Sequence, residues 1–169
     1  MVIYIVVLVV GLIAVLFGLL GVIGSMIPVT HTAEMSVEVG SSGEKVWEVL
    51  NNIEQFPSWC PGVDRVEMLP NTNGHTTFRQ FQGRNTFVLE ETTKQPPTRV
   101  VRTIDDDNKF FSGEWDHQIK DLGNGRCVVT VKETGSIPSA IPRAIMRMFF
   151  GYNYYLNQFG EALKAKCGV

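Results

Sequence analysis

No Asp, Glu, Lys or Arg occurs before Glu34, although the 169-residue chain carries 15 basic and 17 acidic residues. All the charge, a net of −2, therefore sits in residues 34–169, and so even a balance leaves no electrostatic footprint for nucleic acid. Cysteine is scarce as well. Cys60, Cys127 and Cys167 are odd in number, far apart and outside any Cys-x-x-Cys, which excludes a disulfide framework and a zinc site. Cys167 stands third from the end, whereas the prenylation pattern needs the fourth. A Gly-rich phosphate loop, His-Glu-x-x-His, Gly-x-Ser-x-Gly and the dinucleotide fingerprint are all missing. With His31, His75 and His117 scattered along the chain, no metal and no cofactor is expected. His31 reads simply as an interfacial residue beside the apolar segment.

What the sequence has in excess is one apolar run from Val2 to Ile27. At about 1.5 Å per residue it forms roughly 39 Å of helix, longer than the about 30 Å hydrocarbon core of a bilayer. Residues 1–27 are accordingly expected to be a single-pass transmembrane helix of the signal-anchor type. A cleavable signal peptide wants a positive n-region and a shorter apolar core, and no basic residue precedes this run; a cut, if made, would fall at Gly24-Ser25. The first basic residue after the run is Lys45, so the positive-inside rule does not assign the side of the membrane. Gly11, Ala14, Gly18, Gly21 and Ser25 form a stripe of small residues through which another helix, including that of a second copy, could pack. The plain alternative is that glycine is frequent in membrane helices. A linker over 28–33 reaches at most about 20 Å, which holds the following domain close to the bilayer surface.

Residues 34–169 are long enough to bury about two thirds of their unfolded surface. Glu34–Val39 alternates and predicts a first strand. Ser41 and Glu44 offer a capping box for a helix with Val46, Trp47, Leu50 and Ile53 on one face. That helix cannot run far past Phe56, because Pro57 lacks an N–H and disfavours helix before it. Strands are expected at Val63–Leu69, His75–Phe81, Arg84–Thr92, Thr98–Ile104, Phe110–Lys120 and Arg126–Gly135. Turns at Asn71–Gly74, Gln95–Pro97, Asp105–Asn108 and Gly123–Gly125 separate several of them, so most pairings should be antiparallel. After Pro138 the apolar period changes to three and four, predicting one amphipathic helix of about 25 residues that opens at Ser139 and Pro142. Gly151 and Gly160 inside it suggest close approach of its backbone to a sheet or ligand.

The run EKVWEVLNNIEQFPSWCPGVDRVEML, the hairpin FFSGEWDHQIKDLGNGRCVVTVKETG and the aromatic terminal helix resemble the SRPBCC superfamily, the START-like or polyketide cyclase/dehydrase-like helix-grip domains. The resemblance covers nearly all of residues 34–169. It implies an α+β helix-grip fold, a curved antiparallel sheet wrapped around a long C-terminal helix, here preceded by the transmembrane helix. In such domains a cavity lies between sheet and terminal helix. The stiff turn FPSWCPGV would then belong to its mouth, with Phe56 and Trp59 as apolar wall; the alternative is that both are ordinary core plugs.

Alternation along the hairpin puts Phe111, Trp115, Ile119 and with them His117 on the inward face. If the Gly-Asn-Gly turn sets the register, Gly113 falls opposite an inward Glu133. His117 and Glu133 become candidates for the polar end of a ligand, or for acid/base work. The competing assignment is a hydrogen-bonded core histidine and a Glu paired with Arg79 or Arg102. On the terminal helix, Met146, Phe150 and Tyr154 form a second apolar line that would suit cavity lining, lipid contact, or burial on more than one side. The expected function is a membrane-tethered binding or carrier domain for a hydrophobic small molecule, a lipid, quinone or polyketide-like ring. A cyclase/dehydratase-type enzyme using His117 and Glu133, and a non-enzymatic membrane assembly partner, are the alternatives.

Overall fold

The computed structural model describes residues 2–72, 74–104 and 111–168; the turn expected at Asp105–Asn108 lies outside them. The apolar run forms helix α1, Val2–Met26. It is long and apolar enough to cross a membrane, and nearly all of its side chains are exposed. Strand β1 follows at Thr30–Val39, four residues earlier than the alternation from Glu34 indicates. Helix α2, Gly43–Asn51, runs into a 3-10 turn, Ile53–Ser58, that contains Pro57. Ser42, not Ser41, caps α2 by accepting the Lys45 N–H at 3.4 Å, and Asp121 accepts the Gly43 N–H at 2.9 Å.

Six more strands complete the sheet: β2 Arg65–Thr72, β3 His75–Gln82, β4 Asn85–Gln95, β5 Arg99–Ile104, β6 Ser112–Gly123 and β7 Arg126–Ser136. Their order is β1-β7-β6-β5-β4-β3-β2, antiparallel throughout, so β1 is an edge strand that the chain brings back beside β7. Asn124 and Gly125 both take positive φ, 53° and 67°, in a two-residue hairpin turn that closes Gly123 on Arg126. The register then shifts past Leu122, placing Asp121 opposite Cys127. As a result Gly113 faces Gly135 and Trp115 faces Glu133. This corrects the expected Gly113–Glu133 pairing by two residues.

The terminal helix is not continuous. Helix α3, Ala140–Ile145, passes into a π-helical turn, Met146–Phe150, which ends at Gly151 with φ 74°, a conformation that glycine adopts without steric cost. Helix α4, Tyr154–Cys167, then crosses the concave face of the sheet. Gly160 permits its approach, since a Cβ there would lie 3.0 Å from the Met35 sulfur. Gly151 marks the break, with open space beside it, instead of a close approach.

Packing joins α1 to the domain. Leu20, Gly21 and Ile27 are half-buried and Gly24 is buried, and a Cβ on Gly24 would overlap the Ala140 carbonyl of α3. The buried Arg143 guanidinium donates from Nε to the Gly24 carbonyl at 2.9 Å and from Nη1 to the Ile137 and Pro138 carbonyls at 2.8 and 3.2 Å. A cation held at a helix C-terminus satisfies orphan carbonyls and opposes the helix dipole. Gly24, outside the small-residue stripe, makes this contact within the chain, while the stripe residues Gly11, Gly18 and Gly21 have nothing within 4 Å of an added Cβ.

Candidate ligand-binding site

Side chains alternate across each strand, so the register sets which groups share the concave face. His31, Gly135 and Gly113 form one cross-strand row on that face, and Ala33, Glu133 and Trp115 form the next. Glu133 stands at the centre of a cluster. Its Oε1 lies 3.1 Å from His31 Nε2, and its Oε2 accepts from Trp115 Nε1 at 3.1 Å. The Tyr152 ring, from the segment just after Gly151, stacks on the imidazole at 3.9 Å and 13°. Phe111 borders the group, 6.4 Å from the His31 ring and 5.7 Å from that of Trp115.

The row of glycines makes room for the imidazole. A Cβ on Gly135 would come within 2.6 and 2.8 Å of His31 Cε1 and Nε2, and 3.0 Å of Glu133 Oε1. With Tyr152 on the ring face and Glu133 at Nε2, His31 has little freedom to give way. Gly135→Ala is therefore expected to displace His31 and cost about 1–3 kcal/mol, measured as a lowered Tm. Gly40→Ala, a site with nothing within 4 Å, should stay within about 0.5 kcal/mol of the parent.

His31 also lines an open groove of about 370 Å3 with Ile27, Pro28, Thr30, Thr32, Arg147 and Tyr152. The groove lies at the foot of α1, along the β1 edge. Chemically, the neighbouring imidazole and carboxylate can position a protic group or pass a proton. No group of three or more His, Cys, Asp or Glu able to hold a metal occurs among the described residues.

The other expected site residues divide by location. Phe56 is buried with Phe78, their rings crossing edge-on at 6.3 Å. Trp59 is half-buried between Phe56 at 5.6 Å and Phe159 of α4 at 5.5 Å, and its Nε1 is buried without a partner among the described residues. His117 is buried against Phe159, 5.6 Å between rings, and its Nδ1–H donates to the Trp115 carbonyl at 3.2 Å. Burial, reinforced by the Arg102 charge, pushes its pKa down to about 3. It is a neutral core histidine near neutral pH, apart from Glu133's hydrogen-bonded partners. Phe150 and Tyr154 lie on the outside, 48% and 41% exposed, with rings 5.5 Å apart, so the structure does not bring them to the Trp115–Glu133 face.

Neither arginine expected near Glu133 pairs with it. Arg79 bonds Glu67 and Arg102 bonds Glu91. The partner that sequence reasoning missed is His31, taken there for an interfacial residue. Its signal was present: the alternation of Ala33, Met35, Val37 and Val39 extends back to His31 on the same face.

A sequence profile described as "Polyketide cyclase / dehydrase and lipid transport" matches residues 39–153. No curated protein matches the chain. Among solved structures, the ZhuI aromatase/cyclase of Streptomyces sp. R1128 superposes with a TM-score of 0.71 at 15% identity, covering 82% of this chain and 93% of that one. A START superfamily protein of Mycobacterium smegmatis gives 0.67 at 18% identity over 81% and 97%. Truncated norcoclaurine synthase of Thalictrum flavum gives 0.61 at 12% identity over 82% and 93%. At such identities the likeness establishes a common helix-grip fold and nothing of the chemistry.

Proposed function

The chain belongs to the polyketide cyclase / dehydrase and lipid transport family, and from that premise we propose that it is a membrane-tethered carrier or binding domain for a hydrophobic small molecule. The ligand, a lipid, quinone or polyketide-like ring, is held between the sheet and α4, with its polar end toward Glu133 and His31.

The observation that carries the tether is the set of exposed apolar side chains on α1 and on the turn after α3. Helix α3 packs along the end of α1, with Gly24 against Ala140. The turn that follows presents Met148, Phe149 and Phe150 at 53%, 71% and 48% exposure. Tyr154 and Tyr155 are exposed beside it. An apolar surface of this kind is costly in water and suited to lipid, and tyrosines favour the membrane–water boundary.

Native mass spectrometry of full-length protein, extracted gently from its own membrane, is expected to show a discrete bound hydrophobic mass. After delipidation the protein should take up a pyrene-labelled fatty acid saturably. No saturable uptake would overturn the carrier reading. The imidazole–carboxylate contact of His31 and Glu133 favours a second reading, an acid/base enzyme of cyclase or dehydratase type; Glu133→Gln would then keep the ligand but stop its conversion.

A further inference from the structure

We propose that the groove at the foot of α1 binds the head group of an anionic phospholipid with free hydroxyls, His31 accepting a head-group hydroxyl and Arg147 meeting the phosphate. The inference rests on the membrane-tethered reading above and specifies the ligand's polar end.

The hydrogen bonds assign His31's role. An ionised carboxylate can only accept, so with a neutral imidazole the 3.1 Å contact with Glu133 calls for the Nε2–H tautomer. Nδ1 is left with a free lone pair. That atom is buried and has no partner among the described residues, a state that costs about 1–3 kcal/mol unless something satisfies it. The ring cannot turn to relieve this without giving up Glu133, and Gly135 and Tyr152 confine it. The complementary group is a hydroxyl donor. Tyr152 covers the face of the imidazole, directly after the break at Gly151, whereas the Nδ1 lone pair lies in the ring plane, where the hydroxyl would bond it.

Arg147 supplies the second requirement. It is exposed on the groove wall, with its guanidinium 5.9 Å from the Tyr152 ring centroid, and no carboxylate among the described residues pairs with it. Thr30 and Thr32 add further polar lining, and Ile27 and Pro28 form an apolar rim. Ile27 ends the apolar run and Pro28 opens the linker, so a spanning α1 sets the groove at the level of the lipid phosphates. A phosphatidylglycerol head offers an anion for Arg147 and hydroxyls for Nδ1. Phosphatidylcholine offers no hydroxyl donor, and its quaternary ammonium offsets the phosphate charge.

The test uses the full chain in nanodiscs of equal phosphatidylglycerol and phosphatidylcholine, with retained lipid read by native mass spectrometry. Retention of phosphatidylglycerol in about tenfold excess is expected, the factor that one charge-assisted hydrogen bond supplies. Arg147→Gln and His31→Gln should each remove the excess. Arg126→Gln, at an exposed pair with Glu38, should keep it. Arg147 is exposed, so its variant reads the site even if the His31 variant folds poorly. Retention in proportion to the mixture, or an excess that survives Arg147→Gln, overturns the site. Equal displacement of the lipid by soluble glycerol 1-phosphate would overturn its assignment to a membrane lipid. Flotation on vesicles reports the tether separately: a chain that floats without selecting phosphatidylglycerol refutes the head-group site alone, and one that does not float refutes both.

Discussion

Glu91→Ala is expected to cost about 3–5 kcal/mol of stability, because it strands a buried guanidinium. Arg102 and Glu91 have side chains only 4% and 1% exposed. Arg102 donates to Glu91 Oε1 from Nη2 at 2.9 Å and from Nε at 3.2 Å. The same Nη2 lies 2.6 Å from the Leu50 carbonyl at the end of α2, and the Phe56 ring sits 5.3 Å from the guanidinium. The pair therefore ties β4 and β5 to the helix pair that carries the FPSWCPGV turn. In a domain of this size the loss lowers Tm by roughly 10–20 °C, readable by near-UV circular dichroism. The double replacement Glu91→Leu, Arg102→Met removes both charges together and should recover most of the loss, since a buried pair often exchanges for apolar packing at little cost. A single variant within about 1 kcal/mol of the parent would refute this coupling.

The stability of the domain should also fall as pH drops below about 6.5, and His117 is the main cause. Its folded-state pKa of about 3 lies far below the about 6.5 of a free histidine. Between those values the unfolded chain takes up a proton that the folded chain refuses. The stabilisation is thus complete above pH 6.5 and drains as pH falls, by about 1.4 kcal/mol per unit at most. Burial is the largest contribution and the charge of Arg102 adds to it, while hydrogen bonds at Trp115 and Val100 and the Asp116 carboxylate oppose it. Glu91 and Asp116 act in a lower window. Burial raises both carboxyls, but Arg102 and Lys94 around Glu91, and Arg99 and Gln118 around Asp116, outweigh it and hold them below the usual carboxylate range. Their contribution is present above about pH 4 and is lost only beneath that. His117→Gln should flatten the Tm-against-pH curve between pH 6.5 and 4 and leave the acid limb below it. Parallel curves for parent and variant would assign the upper limb to another group.

Comparison of particular elements shows where local pattern suffices. Each strand of the sheet was legible to within a few residues, because turn residues such as Asn124 and Gly125 and the period-two alternation act over a few positions. The break at Gly151 was not, because Ile145, Phe149, Tyr152 and Leu156 keep a helical spacing across it, and a positive φ leaves no trace in apolar periodicity. The hairpin register was missed by two residues, which exchanged the neighbour of Glu133 from Gly113 to Trp115. The Gly24 contact has a similar cause. Gly24 lies outside the stripe of Gly11, Ala14, Gly18, Gly21 and Ser25, and local spacing does not say that α3 of the same chain packs there.

Local sequence is enough to read the apolar helix, the order of strands and helices, the helix-grip resemblance and the inward direction of Trp115 and His117. These follow from composition, chain punctuation and side-chain periodicity, all short-range properties. Long-range packing instead brings Glu133 to His31, 102 positions away, Arg102 to Glu91, and Arg143 to the end of α1. The first partner depends on β1 returning to the edge beside β7, the second on the β4–β5 register and the third on α3 packing against α1; a one-residue slip in either strand pair would send its side chains to the opposite face.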